Sequence, residues 1–358
     1  MYSKESIDSF MIDSFNKDIK NVFVQIRSRG DALYDSDIVK KNINIPENFD
    51  PLAYVILLGR LLDIKVHAWL NTYLIWSANS PPDDSTHIYY SHPEWFESDY
   101  FGKSDIDIKL ENIQTPTWEG LFLSPNNPKV NSYLLELVKE LFKNYPKLDG
   151  LHFDYIRFQD DFYGFNEEGI KDFKIKYNFN PKDIYRDVFS KRYGWSDVQV
   201  DSIKNIRINY NSRNITSLLA SVNAYRDSIN SDIMISAAVK SDLINAKSKW
   251  FQDWGEWIEK NIVDFVIPMN YSNDNDIFFQ RINMISESIN SIDYKEKIIM
   301  GISIYNQDES SVAEKILLST LSGYNRVCFF SYNSLKEEDI NYNLIKNNYN
   351  KKKYLLGE

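Results

Sequence analysis

Residues Leu123–Phe158 read LSPNNPKVNSYLLELVKELFKNYPKLDGLHFDYIRF. Asn127-Pro128 joins an N-capping side chain to a proline whose fixed φ and missing N–H suit a first helical turn. Val130, Tyr133, Leu134, Leu137, Val138 and Leu141 then recur at helical spacing. Gly150–Ile156 (GLHFDYI) follows as a short apolar run, which predicts a buried strand. A helix feeding such a strand is half of a crossover unit, and the alternation continues in both directions. Strands are predicted at Asn21–Arg27, Lys65–Asn71, Met234–Val239, Phe265–Asn270, Ile298–Tyr305 and Arg326–Tyr332 as well. Asp50-Pro51 opens a helix bearing Leu52, Val55, Ile56 and Leu62; helical spacing recurs at Ile215–Ile229, Ile277–Ile289 and Val312–Leu321. Ahead of Asn21 stands one amphipathic helix with Ile7, Phe10, Met11 and Phe15 on its face.

Alternation over more than 300 residues calls for parallel strands joined by helical crossovers, either an open doubly wound sheet or a closed barrel. With 12 glycines and neither G-x-G-x-x-G nor G-x-x-x-x-G-K-[ST], nothing marks a nucleotide site on an open sheet. Strand ends carrying Arg27, Asn71, Arg157, Asn270-Tyr271, Tyr305 and Tyr332 suit the carboxyl rim of a barrel. The predicted fold is therefore α/β, a (β/α)8 TIM barrel in a single domain over residues 1–358. Only seven strands are counted, so the first is expected to lie upstream of Met1. Two long connections, 76–123 and 157–213, overhang the rim. The first holds Trp76, Tyr89, Tyr90, Trp95, Phe96, Tyr100, Phe101 and Trp118 and reads as a folded wall or lid; the second contains predicted helices at Glu167–Tyr177 and Pro181–Tyr193. Residues 347–358 read as a charged, solvated tail.

Composition narrows the function. In 358 residues, 43% are hydrophobic and 15% aromatic, which excludes a wholly disordered chain. Forty-one Lys plus Arg against 51 Asp plus Glu leave a net charge of −10, a field that repels phosphate backbones and anionic lipid. Neither nucleic acid nor membrane insertion is expected. Cys328 stands alone, with no internal disulfide available, and reads as a small buried hydrophobe. The start, Met1-Tyr2-Ser3-Lys4-Glu5, is not a signal peptide, so compartment is undecided by composition.

Because side chains alternate along a strand, Gln25 and Arg27 share one face, as do His67, Trp69 and Asn71, and likewise His152 and Asp154. Such groups buried together need each other, water or a ligand, and one pocket is expected. Asp154 reads either as a catalytic carboxylate or as a counter-ion holding Arg27 or Arg157.

FVQIRSRGDALYDS (Phe23–Ser36), DPL with KVHAWLN (Asp50–Asn71), the Leu123–Phe158 stretch with its DGLHFDYIRF, W-x-x-D-W (Trp250–Trp254) and VIPMNYS (Val266–Ser272) resemble the glycosyl-hydrolase-like family ten. These are bacterial TIM-barrel enzymes that include a divisome-localised hydrolase of peptidoglycan glycan. The resemblance spans roughly residues 5–335. It implies a (β/α)8 fold, cleavage of O-glycosidic bonds in a bacterial cell-wall or environmental polysaccharide, an extracytoplasmic setting and no cofactor. Members normally have a strand ahead of the helix that opens this chain.

Glycosidic cleavage conventionally uses two carboxyl groups. Asp154, at a strand end inside the family-like motif, is the first choice. For its partner, Asp31 matches a family position, although it could instead pair with Arg27 or Arg29 or cap the turn after Gly30; Asp253 and Glu256 come next, with Glu119 a further candidate. Arg27, His67, Asn71, His152, Arg157, Asn270 and Tyr271 are expected to hydrogen-bond sugar hydroxyls or orient carboxylates. Trp69, Trp76, Trp118, Tyr155, Tyr271, Tyr305 and Tyr332 are candidate ring platforms for sugars. His87 and His92 near Asp83-Asp84 follow no metal spacing rule, and no metal is expected. The alternative function is a non-catalytic carbohydrate-binding protein on the same scaffold.

Overall fold

All seven predicted strands form in the computed structural model, which describes residues 1–112, 118–185, 188–289, 292–336 and 340–355. They are β1 (Asn21–Arg27), β2 (Lys65–Asn71), β3 (Gly150–Asp154), β4 (Met234–Lys240), β5 (Phe265–Met269), β6 (Met300–Ser303) and β7 (Val327–Phe330). The chain packs as two units, Met1–Ile235 with Lys247–Gln252, and Ser236–Ala246 with Asp253–Glu358.

In the first unit β1, β2 and β3 are parallel neighbours in chain order. Helix α1 (Lys4–Asn16) precedes β1, α2 (Pro51–Leu62) joins β1 to β2, and α3 (Pro128–Asn144) leads into β3. Both proline-started helices begin as their sequences require: Asp50 Oδ1 accepts the Ala53 N–H (2.9 Å) and Asn127 Oδ1 the Lys129 N–H (3.1 Å). The helix-side face of β1 is Val22, Val24 and Ile26, all buried, while Phe23 and Gln25 on the other face are half-buried. Burying such an aliphatic side chain contributes roughly 1.5–3 kcal/mol, so this face holds the layer together and the opposite one is left for polar groups. In the second unit β4, β5, β6 and β7 are again parallel and in chain order. The result is an α/β fold of parallel strands alternating with helices. The eight-stranded barrel expected from the alternation is matched as far as these seven strands; no eighth strand parallel to them occurs among the described residues.

Three details differ from expectation. Helix α4 (Glu167–Tyr177) forms as predicted, but the connection after β3 ends earlier: α5 runs from Asp197 to Ser228, begun where the Ser196 N–H donates to Gln199 Oε1 (2.9 Å). The segment before it packs on the start of α5 in a small core, Ile184, Phe189 and Ile203 backed by Phe179, Trp195 and Val200. On α1 the buried positions are Ile7, Met11 and Ser14, whereas Phe15 faces out, because the helix is rotated from the face its largest residues define. The expected tail is helical: Tyr342–Leu355 buries Ile345, and Lys352 Nζ lies 3.2 Å from Glu314 Oε2 on the helix Glu309–Leu321. No described helix is long and apolar enough to cross a membrane.

Gly150 starts β3 because nothing larger fits. A Cβ there would stand 2.1 Å from His67 Nδ1, and that ring cannot withdraw: it stacks on Phe23 at 4.8 Å and its Nε2 lies 3.2 Å from Asn21 Oδ1. Gly150→Ala is expected to cost roughly 1–3 kcal/mol through overpacking, read as a lower urea midpoint at unchanged slope. Gly255→Ala, whose Cβ would meet nothing nearer than 3.6 Å, should stay within about 0.5 kcal/mol of the parent. Equal midpoints for the two variants would contradict this account of β3.

Candidate active site

β3 stops at Asp154 because the next residue turns the backbone. Tyr155 has φ 49°, a left-handed conformation uncommon for a bulky side chain and tolerated where its surroundings hold it. Its N–H donates to Asp154 Oδ1 at 2.7 Å, and its carbonyl accepts from the Tyr73 N–H at 3.3 Å, beside the Thr72 N–H bond to the Asp154 carbonyl (2.8 Å). The ends of β2 and β3 are thereby fastened together with the half-buried Asp154 carboxyl between them.

Arg157 then folds back over this turn. Only 2% exposed, its guanidinium carbon lies 4.9 Å from the Tyr155 ring centroid and 5.8 Å from that of Phe122. Nη2 forms an ion pair with Glu119 Oε2 at 2.7 Å, and Nη1 donates to the Phe158 carbonyl at 3.1 Å. Among the described residues Nε is a buried donor with no acceptor, a cost of about 1–3 kcal/mol of the kind retained at functional sites. Glu119 arrives from the first insertion. Gly120 behind it, at φ 142°, permits Leu121–Phe122 to pair antiparallel with Leu74–Trp76; a Cβ there would meet the Trp76 carbonyl oxygen at 2.4 Å.

The electrostatics follow from this packing. Burial raises the Asp154 carboxyl above the usual carboxylate range, and the Glu119 charge pushes the same way. The Tyr155 N–H, the Arg157 guanidinium and the Trp69 indole N–H oppose that rise. Burial, then the Asp154 and Glu119 charges, push the Tyr155 phenol up to about 12, so it is a hydrogen donor at neutral pH.

The neighbouring strand ends divide the predicted residues. Gln25 Nε2 donates to Asn71 Oδ1 (3.2 Å), whose Nδ2 donates to the Ser28 carbonyl (2.8 Å), and Asn71 is the register partner of Asp154. Arg27 does not share Gln25's role. A bulge between them sets Gln25 opposite Trp69 and Arg27 opposite Leu70, and Arg27 is fully buried, with Nη1 donating to the Asn71 and Thr72 carbonyls. It fastens the end of β2; it is no sugar-facing donor. His67 and His152 lie deeper, at the register positions of Gly150 and Trp69, with Phe23 stacked on one (4.8 Å) and edge-on to the other (4.8 Å). Burial pushes them down to about 4 and about 3, so both are neutral and form a floor. Asp31 sits in the loop after β1, where Asn42 Nδ2 and the Arg29 N–H (3.4 Å) both donate to its carboxylate. It caps that loop. His87 and His92 are likewise engaged locally, His87 between the Arg29 carbonyl (2.8 Å) and the Tyr89 N–H (3.0 Å), His92 stacked on Trp95 at 3.7 Å.

The first insertion is the folded wall its rings suggested, but a buried polar network anchors it. Glu97 is fully buried and accepts from the Ser98 N–H (2.8 Å) and Ser124 Oγ (2.9 Å). Asp105 Oδ2 accepts from the Phe122 N–H (2.8 Å) and Gln159 Nε2 (2.6 Å). Buried Arg207 donates to Tyr185 Oη (2.6 Å) and to the Asp161 and Tyr163 carbonyls, its guanidinium 4.6 Å from the Phe165 ring centroid.

In the second unit, Asp253 stands immediately before the helix Trp254–Glu259, its carbonyl accepting from the Trp257 N–H at 3.2 Å, and Glu256 pairs with Lys260 at 2.5 Å. Asn270 is fully buried; its Nδ2 donates to the Phe278 carbonyl (3.0 Å) and its Oδ1 accepts from Arg281 (3.4 Å), so it holds a helix and offers nothing outward. Tyr271 stacks on Phe330 (5.6 Å, 13°) and Tyr305 stands edge-on to the same ring (6.1 Å, 85°). Tyr332 opens the helix Tyr332–Lys336. Sequence reasoning passed over Phe330 because it lies in an unbroken apolar run.

Residues 2–318 match the family model described as Glycosyl hydrolase-like 10. The chain belongs to this family. Among curated proteins it is 22% identical over 284 residues to Glycosyl hydrolase DigH of Escherichia coli (strain K12), a match covering 71% of this chain and 54% of DigH. The chain thus spans about half the length of the curated relatives it matches. Among solved structures, this family member resembles the PgaB (BpsB) glycoside hydrolase domain from Bordetella bronchiseptica, at 14% identity and TM-score 0.62 over 91% of this chain and 88% of that one. It also resembles alpha-L-fucosidase isoenzyme 2 from Paenibacillus thiaminolyticus (12%, TM-score 0.60, 98% and 46% covered). A third likeness is to beta-galactosidase from Bacillus circulans sp. alkalophilus (14%, TM-score 0.60, 92% and 48% covered). These likenesses establish a shared fold.

The insertion's anchor makes its stability depend on pH. Burial raises the Glu97 carboxyl to about 7, against the Ser98 and Ser124 hydrogen bonds, and Asp105 is raised in the same sense. A carboxyl raised in the folded state binds its proton more tightly there, so its stabilisation is present below pH ~4.5 and is lost as pH climbs towards 7. Between pH 5 and 8, Glu97 should remove on the order of 3 kcal/mol of unfolding free energy. Glu97→Gln, which keeps the Ser98 bond, is expected to flatten that slope and leave the part due to Asp105. Urea unfolding at four pH values measures it; parallel slopes in parent and variant would refute the assignment.

Proposed function

We propose that the chain is a glycoside hydrolase that cleaves O-glycosidic bonds in a bacterial cell-wall or environmental polysaccharide outside the cytoplasm, on a (β/α)8 barrel plan. The observation that carries this reading is the Asp154 carboxyl: it is half-buried at the end of a parallel strand, raised by burial, and flanked by Trp69, Tyr155 and Arg157. A carboxyl raised by burial in such a place is suited to act as a general acid, protonating the glycosidic oxygen as the bond to the anomeric carbon breaks. Trp69 and Tyr155 offer flat faces to sugar C–H groups, and the linked Gln25 and Asn71 amides offer hydrogen bonds to hydroxyls. Membership of a glycosyl hydrolase-like family and a fold shared with glycosidases support a carbohydrate-active protein. The net charge of −10 suits a neutral or basic glycan better than a polyanion.

Asp154→Asn tests the reading. Reducing-end release from peptide-free cell-wall glycan strands and from a panel of 4-nitrophenyl glycosides is expected to fall by about 10²–10⁴-fold. Binding of the same glycan strands, followed by calorimetry, should change less than about threefold, because Asn keeps the size of the side chain and its bond to the Tyr155 N–H. Glycan binding by both forms with hydrolysis by neither would identify a carbohydrate-binding protein instead.

A further inference from the structure

We infer that Glu119, carried in by the first insertion and clamped on Arg157, is the second carboxylate of the reaction. The inference rests on the glycosidase reading above and goes beyond it by naming the partner of Asp154.

The argument begins with charge. Arg157 is taken almost wholly out of water, and a buried guanidinium needs a carboxylate at contact distance. Two carboxylates border it. Glu119 makes the ion pair, at 2.7 Å; Asp154 feels the guanidinium but makes no ion pair with it, and its charged form is disfavoured by burial and by the Glu119 charge. Arg157 therefore treats the two carboxylates unequally, holding Glu119 in an ion pair and leaving Asp154, raised by burial, outside it, and glycosidic cleavage needs two carboxyl groups in unlike environments. Exposure agrees, since the Glu119 side chain is 35% exposed against 3% for Arg157, which leaves the carboxylate at the water-facing edge of the cluster. The insertion is also built to deliver it. Gly120 permits the tight ribbon directly behind Glu119, and Asp105 fixes the Phe122 N–H three residues on. By contrast, the Asp31 carboxylate is engaged within its own loop.

In the step that follows, the Asp154 carboxyl gives its proton to the glycosidic oxygen, which keeps the electron pair of the breaking bond. A water oxygen bonds to the anomeric carbon and its proton passes to the Glu119 carboxylate. Return of that proton to solvent and reprotonation of Asp154 restore the site, so atoms and charge balance. Arg157 acts as a positioning residue for both carboxylates.

Glu119→Gln, Glu119→Ala, Asp253→Asn and Arg157→Gln are compared with the parent on the most readily cleaved member of the glycan-strand and nitrophenyl-glycoside panel. Glu119→Gln should lose about 10²–10⁴-fold in kcat with glycan-strand affinity close to the parent's, while its thermal midpoint falls because Arg157 loses its counter-charge. Added formate or azide should restore part of the activity of Glu119→Ala, which loss of a merely structural ion pair would not allow. Arg157→Gln should lower kcat more than glycan-strand affinity, because Arg157 positions the carboxylate and does not bind the glycan. The first-formed product should carry the inverted anomeric configuration. Parent-like kcat in Glu119→Gln, no rescue of Glu119→Ala, a loss confined to Asp253→Asn, or a retained anomer would each overturn the assignment. A parent protein that cleaves none of these substrates removes the glycosidase reading, and this inference with it, whereas an active parent with an active Glu119→Gln removes the inference alone.

Discussion

A guanidinium buried at the end of β3 governs the surrounding structure. Arg157 cannot lie beneath Tyr155 and Phe122 without a counter-charge, because an unpaired ion in a low-dielectric setting costs several kcal/mol. The counter-charge is Glu119, 38 residues earlier in the chain, so the first insertion must fold back onto the strand end before the arginine can be accommodated. Strand end, ribbon and carboxylates are consequently assembled as one object. The same cation adjusts Asp154, and this couples packing to chemistry.

The face of the first unit that bears these groups is graded from dry to wet. At the level of Phe23, His67 and His152, burial makes imidazoles neutral and suited to stacking. At the carboxyl ends Asn71 and Asp154 are register partners, and Asn71 takes the amide of Gln25. Side chains that look equivalent in a list of polar strand residues thus do different work, decided by depth. A histidine on the floor is held neutral near neutral pH, whereas burial raises the Asp154 carboxyl.

The insertion itself is held by groups that are expensive to bury. Glu97, Asp105 and Arg207 each bond to backbone as well as side-chain groups, which ties ring-rich segments to a defined geometry where apolar packing alone would let them slide. The titration of Glu97 and Asp105 lends the wall a pH sensitivity that an apolar anchor would lack. Fold kinship with glycosidases says nothing of this arrangement, since the likenesses extend over the scaffold and the chemistry lies in individual side chains.

Much of the scaffold was legible in the sequence. Apolar runs bounded by turn residues located all seven strands, and the Asp50-Pro51 and Asn127-Pro128 pairs located helix starts, because periodicity and capping are local effects that a chain displays without its partners. The placement of Asp154 at a strand end was legible too. What only the tertiary structure decided were the pairings across distance. The bulge that turns Arg27 inward, the helix that consumes the Asn270 amide, the loop that engages Asp31, the Tyr271–Phe330–Tyr305 ring cluster and the Glu119–Arg157 ion pair have no periodic signature. Each depends on which charge or amide is left without water once the layers close, and desolvation is a property of the packed molecule, not of any stretch of residues.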